Sequence, residues 1–309
     1  MNFYPFSNTP IIEIEYRYQG KTKKAFFKAE WFNLTGSIKD RVAFAILTKA
    51  QKNGLIKENQ PVVEVTSGNM GISLSAMCAL QKRPLVAILP KYMSQERKTL
   101  LSSFGATVVE SEDFDHAFIL LEEFVKSGAF CPKQFENEEN ALAHYNTTAK
   151  EIVSQMQEKI SCFVAGVGTA GTLMGVGKYL HEKYFNTRLV AVEPSKSPLL
   201  SQGLKGKHLL QGLADERVPK LYDKTAVDQI ISVDDLDAVA MAQKLAKVLG
   251  LGVGISSGAN FVACVKCKVD NAVSVFADDN KKYMSTLLAT PQETEFVKSI
   301  DLLNYKIIR

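Results

Sequence analysis

The 309-residue chain has no run of about 18 consecutive apolar residues, roughly what a membrane-spanning helix needs, so no membrane partner is expected. Cysteine is scarce: Cys78, Cys131, Cys162, Cys264 and Cys267 are odd in number and irregular in spacing, which excludes a disulfide framework. The start MNFYPFSNTP lacks the basic and then apolar layout of a secretory signal. Together these absences point to reduced thiols in a cytoplasmic protein. Charge never gathers into blocks; 37 Lys and Arg against 33 Asp and Glu leave a net +4, which argues against a nucleic-acid partner and permits a small anionic ligand. The four histidines, His116, His144, His181 and His208, are dispersed without ligand spacing, and Cys264 and Cys267 have no second pair, so no metal is expected. No fixed-period repeat or low-complexity linker marks a boundary.

What is present is 46% hydrophobic residues, enough for a core over one large or two modest domains. Short apolar runs alternate with longer stretches of helical period, the pattern of an α/β fold with mainly parallel sheets flanked by crossover helices. Strands are expected at Pro61–Val65, Leu85–Leu89, Thr107–Glu110, Ser161–Ala165, Leu189–Val192, Gln229–Val233 and Ala272–Phe276. Helices are expected at Ile38–Lys52, Gly71–Gln81, Gln95–Phe104, Phe114–Lys126, Ala141–Gln157, Thr172–Lys183, Leu236–Leu249 and Ala259–Lys268. The polar segment Ser195–Lys224 reads as a long functional excursion.

Two Gly-rich turns each follow a strand and open a helix: VEVTSGNMG from Val63 and VAGVGTAGT from Val164. At such a junction the first helix amides lack intrahelical partners and the helix dipole is positive, so backbone N–H groups can hold an anion. Thr169 and Thr172 add hydroxyl donors for a phosphate. No acidic residue stands at the dinucleotide distance and no GK[ST] follows, so a different phosphate ligand is required. A third feature is NLTGSIKDR, where Ser37 can cap a helix that holds Lys39 in its first turn. A lysine there meets an unfavourable dipole, which lowers its pKa and frees its amine as a nucleophile or base.

NLTGSIKDR, TSGNMGIS, GVGTAGT, VEPSKSP and GISSGAN, in this order, resemble the cysteine synthase (O-acetylserine sulfhydrylase) family. These are pyridoxal-phosphate enzymes of fold type II, with a tryptophan synthase β-subunit-like fold. The similarity runs from about Asn8 to Leu287 and leaves the tail 289–309 unmatched. It implies a smaller mobile domain, 38–145, and a larger cofactor-binding one, 1–37 plus 146–309. Lys39 would form the Schiff base with the cofactor and then act as the base at Cα. Asn69 would bond the ring hydroxyl, Gly168, Thr169, Ala170, Gly171 and Thr172 would surround the phosphate, and Ser256, rather than Ser257, would face the pyridine nitrogen. Thr66, Ser67, Gly68, Met70 and Gln134 would hold the substrate carboxylate. A serine at the ring nitrogen weakens the electron sink and favours β-elimination over transamination.

The implied reaction is β-replacement through an aminoacrylate, making L-cysteine from O-acetylserine, or a similar activated serine, and sulfide, in a homodimer. Departures widen this. Leu34 stands where proline is usual, Met70 where threonine is usual, and Asp215, in QGLADERVP, where a small or apolar residue is common. A carboxylate at Asp215 would suit a lyase that takes cysteine apart, releasing hydrogen sulfide with serine as product; capping, or pairing of Asp215 or Glu216 with Arg217, is the plainer account. Cystathionine formation, amino-acid dehydration and a silent binder are further alternatives.

Overall fold

The computed structural model describes residue 6 and residues 8–66, 68–213 and 217–309. Its first elements are a hairpin, β1 (Ile11–Tyr18) and β2 (Lys21–Ala29), joined by Gln19 and Gly20, both at positive φ. Such a two-residue turn matches the twist of the flanking strands. The chain continues through α1 (Lys39–Lys52), β3 (Val62–Val65), α2 (Asn69–Leu80), β4 (Leu85–Pro90), α3 (Gln95–Ser103), β5 (Thr107–Ser111) and α4 (Phe114–Lys126). Then come α5 (Glu139–Asn146), α6 (Thr148–Gln155), β6 (Cys162–Gly166), α7 (Gly171–Lys183), β7 (Arg188–Pro194) and the short α8 (Leu199–Gln202). Last are β8 (Gln229–Val233), α9 (Asp235–Leu249), α10 (Ile255–Lys266), β9 (Ala272–Phe276), α11 (Glu295–Lys298) and β10 (Ile300–Ile308). Among the described residues no helix is long and apolar enough to cross a membrane.

The strands form two sheets, so the protein is α/β. One has the order β3-β4-β5, all parallel; the other has the order β10-β1-β2-β9-β6-β7-β8. In the larger sheet β2, β9, β6, β7 and β8 are parallel neighbours, and β1 pairs antiparallel with both β2 and β10. All seven expected strands form. The hairpin and β10 are additions that the apolar-run pattern does not reveal, and the unmatched tail turns out to be the edge strand of the large sheet. One expected helix divides: 141–157 becomes α5 and α6, broken at Thr147 (φ −122, ψ −76), whose Oγ1 donates to the Ala143 carbonyl.

The central strands are buried on both faces, and successive side chains pack into different cores, as the pleat requires. In β6, Cys162 and Val164 face α9 and α10, whereas Phe163 and Ala165 face α6 and α7. A separate core, including Val63, Leu74, Ile88 and Leu101, fills the smaller sheet and its helices. The carboxyl ends of β3, β6 and β9 converge where the two sheets meet, the usual place for a ligand crevice in parallel α/β sheets.

Candidate active site

Lys39 is positioned by its flanking loop. Asn33 Nδ2 donates to the Glu30 carboxylate and the Ser37 carbonyl, Thr35 donates through N and Oγ1 to Asp40, and Lys282 Nζ donates to the Gly36 carbonyl. Ser37 bridges Asp278, and the Ile38 N–H donates to the Ala277 carbonyl at 2.9 Å, which pins the start of α1 to the end of β9. Ser37 Oγ accepts from the Lys39 N–H at 3.3 Å, as the capping reading expects. Behind Lys39, Arg41 is fully buried and bidentate to Glu30, and it also pairs with Glu151. Burial works to raise the Glu30 carboxyl, but Arg41 and Lys28 outweigh it and hold the pKa at about 2.

The Nζ of Lys39 reaches Thr169 Oγ1 at 3.4 Å across the crevice. Thr169 Oγ1 also accepts from Asn140 Nδ2 at 2.9 Å, and Thr172 Oγ1 contacts His144 Nε2 at 3.3 Å. Burial, with Lys39 nearby, lowers the His144 pKa to about 3, so this imidazole is neutral at any working pH. Ala170 sits at φ +67 as the chain turns into α7, whose first residues, Gly171 and Thr172, line the crevice, with the Gly171 N–H donating to Thr169 Oγ1 at 3.4 Å. A Cβ on Gly168 would collide with the Gly212 carbonyl, so the 211–213 segment lies directly over this turn. On the opposite wall Thr66 Oγ1 accepts from the Gly68 and Gly71 N–H groups, both at 3.0 Å, shaping the turn into α2. Gln134 is buried; its Nε2 donates to the Val65 carbonyl at 2.9 Å and its N–H to Glu64 Oε2 at 3.1 Å.

One crevice thus gathers Lys39, Asn69, Met70, Gln134, Gly168, Thr169, Ala170, Gly171, Thr172 and Ser256 in its lining. Thr66 and Gly68 shape its edge. Ser257 is fully buried and its Oγ accepts from the Ala277 N–H, whereas Ser256, in the first turn of α10, lines the crevice. Ser67 and Asp215 lie outside the described residues.

Three residues that sequence reasoning missed complete the site. Asp278 is fully buried and accepts from Asn69 Nδ2 and from the Tyr283 hydroxyl, each at 2.7 Å, leaving Asn69 Oδ1 buried without a partner. Arg97, also buried, donates to Gln211 and stacks on the Tyr283 ring, while its Nε has no hydrogen-bond partner beside Gly68. Asn260 Oδ1 receives the Gly166 N–H at 2.9 Å and fixes the start of the Gly-rich turn. None carries a local signal, because each matters through a partner far away in sequence.

Comparisons with known proteins bear on the family. Residues 3–277 match the family model described as pyridoxal-phosphate dependent enzyme. The chain belongs to that family. A cysteine synthase of Staphylococcus aureus is 39% identical over 290 residues, 91% of this chain and 94% of that one. The crystal structure of a hydrogen sulfide-producing enzyme from Fusobacterium nucleatum superposes with a TM-score of 0.94 at 43% identity, covering 99% of this chain and 97% of the other. O-acetyl serine sulfhydrylase isoform 3 from Entamoeba histolytica superposes with a TM-score of 0.88 at 35% identity, covering 96% and 93%.

The residues present fit pyridoxal phosphate. A lysine amine faces a Gly-rich turn with threonine hydroxyls and a helix N-terminus, and the buried Asn69 Oδ1 is an unspent acceptor opposite them. The chain is a pyridoxal-phosphate-dependent enzyme of fold type II.

Proposed function

We propose that the enzyme makes L-cysteine by β-replacement, from O-acetylserine or a similarly activated serine and sulfide. The observation that carries this reading is Lys39 Nζ, 3.4 Å from Thr169 Oγ1 and in one crevice with Asn69, Ser256 and the 168–172 turn. When bound, pyridoxal phosphate supplies a conjugated ring that stabilises electron density at the Cα of an attached amino acid. In this reading Lys39 Nζ anchors the cofactor and takes the Cα proton. Gly168, Thr169, Ala170, Gly171 and Thr172 hold the phosphate, Asn69 Oδ1 accepts from the ring hydroxyl, and Ser256 meets the ring nitrogen without a charge of its own.

Thr66, Ser67, Gly68, Met70 and Gln134 hold the substrate carboxylate. Met70 brings no hydroxyl, and Arg97, with an unspent Nε beside Gly68, supplies positive potential to that wall. Residues 38–145 form the smaller unit that closes over substrate and excludes water. The same reading has a cytoplasmic homodimer acting on a small amino acid and sulfide.

A second reading, cysteine breakdown with release of hydrogen sulfide through Asp215, is favoured by the 43% identity to a hydrogen sulfide-producing enzyme. One pair of assays separates the two. Fast cysteine formation from O-acetylserine and sulfide, with negligible sulfide release from cysteine alone, is the expected result. Rapid release from cysteine that Asp215→Asn abolishes overturns it in favour of the lyase. Lys39→Ala removes both activities and leaves the protein colourless.

A further inference from the structure

Of the five cysteines, Cys162 and Cys267 stand apart from the active site and touch one another. Cys162 opens β6, Cys267 follows the last turn of α10, and their Sγ atoms are 3.8 Å apart although 105 residues separate them in sequence. Cys264, which shares the CxxC spacing with Cys267, is directed elsewhere: its thiol bonds with Ser274 on β9, and only its carbonyl meets Cys267 Sγ, at 3.0 Å.

We propose that Cys162 and Cys267 form a redox modification site, which a low-molecular-weight disulfide oxidises to a Cys162–Cys267 disulfide tying the start of β6 to the end of α10. A disulfide needs its sulfurs about 2.05 Å apart, so the two atoms close by roughly 1.8 Å, within the reach of side-chain rotation.

The surroundings favour Cys267 as the attacking sulfur. It is 7% exposed, whereas Cys162 is fully buried. Next to it runs the 268–271 turn, in which Lys268 and Asn271 both lie at φ +55 and Asp270 is exposed and paired with Lys23 at 3.2 Å. The Cys162 thiol, the Val269 N–H, Arg188 and Lys23 all favour the Cys267 thiolate, against burial, and lower its pKa. Tyr16, which packs on the same cluster, has its pKa raised by burial and stays neutral. A thiolate with cations near it is the reactive kind of cysteine.

The exchange balances. Cys267 thiolate attacks one sulfur of R–S–S–R, forming a Cys267–S–S–R bond and expelling the first RS⁻. Cys162 then gives its proton to that RS⁻, and its sulfur attacks Cys267 Sγ, expelling the second RS⁻, which takes a proton from solvent. Two protein thiols have lost two electrons, and one external disulfide has become two thiols.

To test this, the cofactor-loaded protein is incubated with oxidised glutathione under native conditions, quenched with acid and digested without reductant. The titratable thiols are expected to fall from five to three, and mass analysis is expected to show a peptide pair joined through Cys162 and Cys267, two hydrogens lighter than the sum. Cys162→Ala and Cys267→Ala should each abolish the linked pair, while Cys131→Ala should leave it. Since the bond closes a loop of about 105 residues, Tm should rise by roughly 5 °C or more and return on reduction. A Cys264–Cys267 link, no link at all, or a link accompanied by a fall in Tm overturns the proposal. The readouts are thiol count, mass and melting, so their failure leaves the proposed reaction untouched.

Discussion

Single side chains in this protein are set by burial as much as by neighbours. Glu64 is 2% exposed on β3, two residues before the Thr66 turn, and accepts N–H groups from Val65 and Gln134. Burial outweighs those bonds and raises its pKa to about 8. A carboxyl that ionises near 4.5 when unfolded therefore keeps its proton in the fold up to about 8. The folded state binds the extra proton between those values, so this contribution to stability is full below about 4.5 and declines as pH rises towards 8 and beyond. Glu64→Gln mimics the neutral form. Its Tm should fall less between pH ~5 and pH ~9 than that of the parent, and parallel curves would show that the carboxyl is already ionised in the fold. Glu30 has the opposite sign: its depressed pKa contributes stability above 4.5 that is lost as pH falls through about 2.

Among the elements, the junction of β6 with α7 leaves little room for a larger side chain. Gly168 passes under the Gly212 carbonyl and Gly171 packs against the Asn140 amide, so either Cβ would have to displace another segment. Gly168→Ala is expected to weaken pyridoxal phosphate binding at least ~10-fold, about 1.4 kcal/mol, in an absorbance titration. An unchanged Kd would show that the 211–213 segment yields freely. The Gly-rich turn was legible in the sequence because its cue is local: a strand, glycines and a helix start within nine residues. Its lid was not, since nothing in 211–213 says that it lies over Gly168. The break at Thr147 was equally hidden, because α5 packs on α7 while α6 carries Glu151 to the buried Arg41, and both demands come from other parts of the chain.

In the molecule as a whole, the larger sheet ends at β10, whose Ile300 and Leu302 are buried while Leu303, Tyr305 and Ile307 are exposed. Ending the chain after Ser299 would strip β1 of one partner and open a long edge. Such a truncation should lower Tm by about 5 °C or more and promote aggregation on heating; an unchanged melting curve would mean that β10 adds nothing to the sheet. The residues lining the crevice were named only through the resemblance that five ordered motifs carry, while length and the alternation of apolar runs with helical stretches were sufficient for the α/β class and the parallel strands. Those cues are short-range, carried by pleat, helix period and glycine. The antiparallel edge, the Arg97–Tyr283–Asp278–Asn69 contacts and the meeting of Cys162 with Cys267 belonged to the folded chain alone. Each depends on which distant segments pack together, and local periodicity carries no information about that.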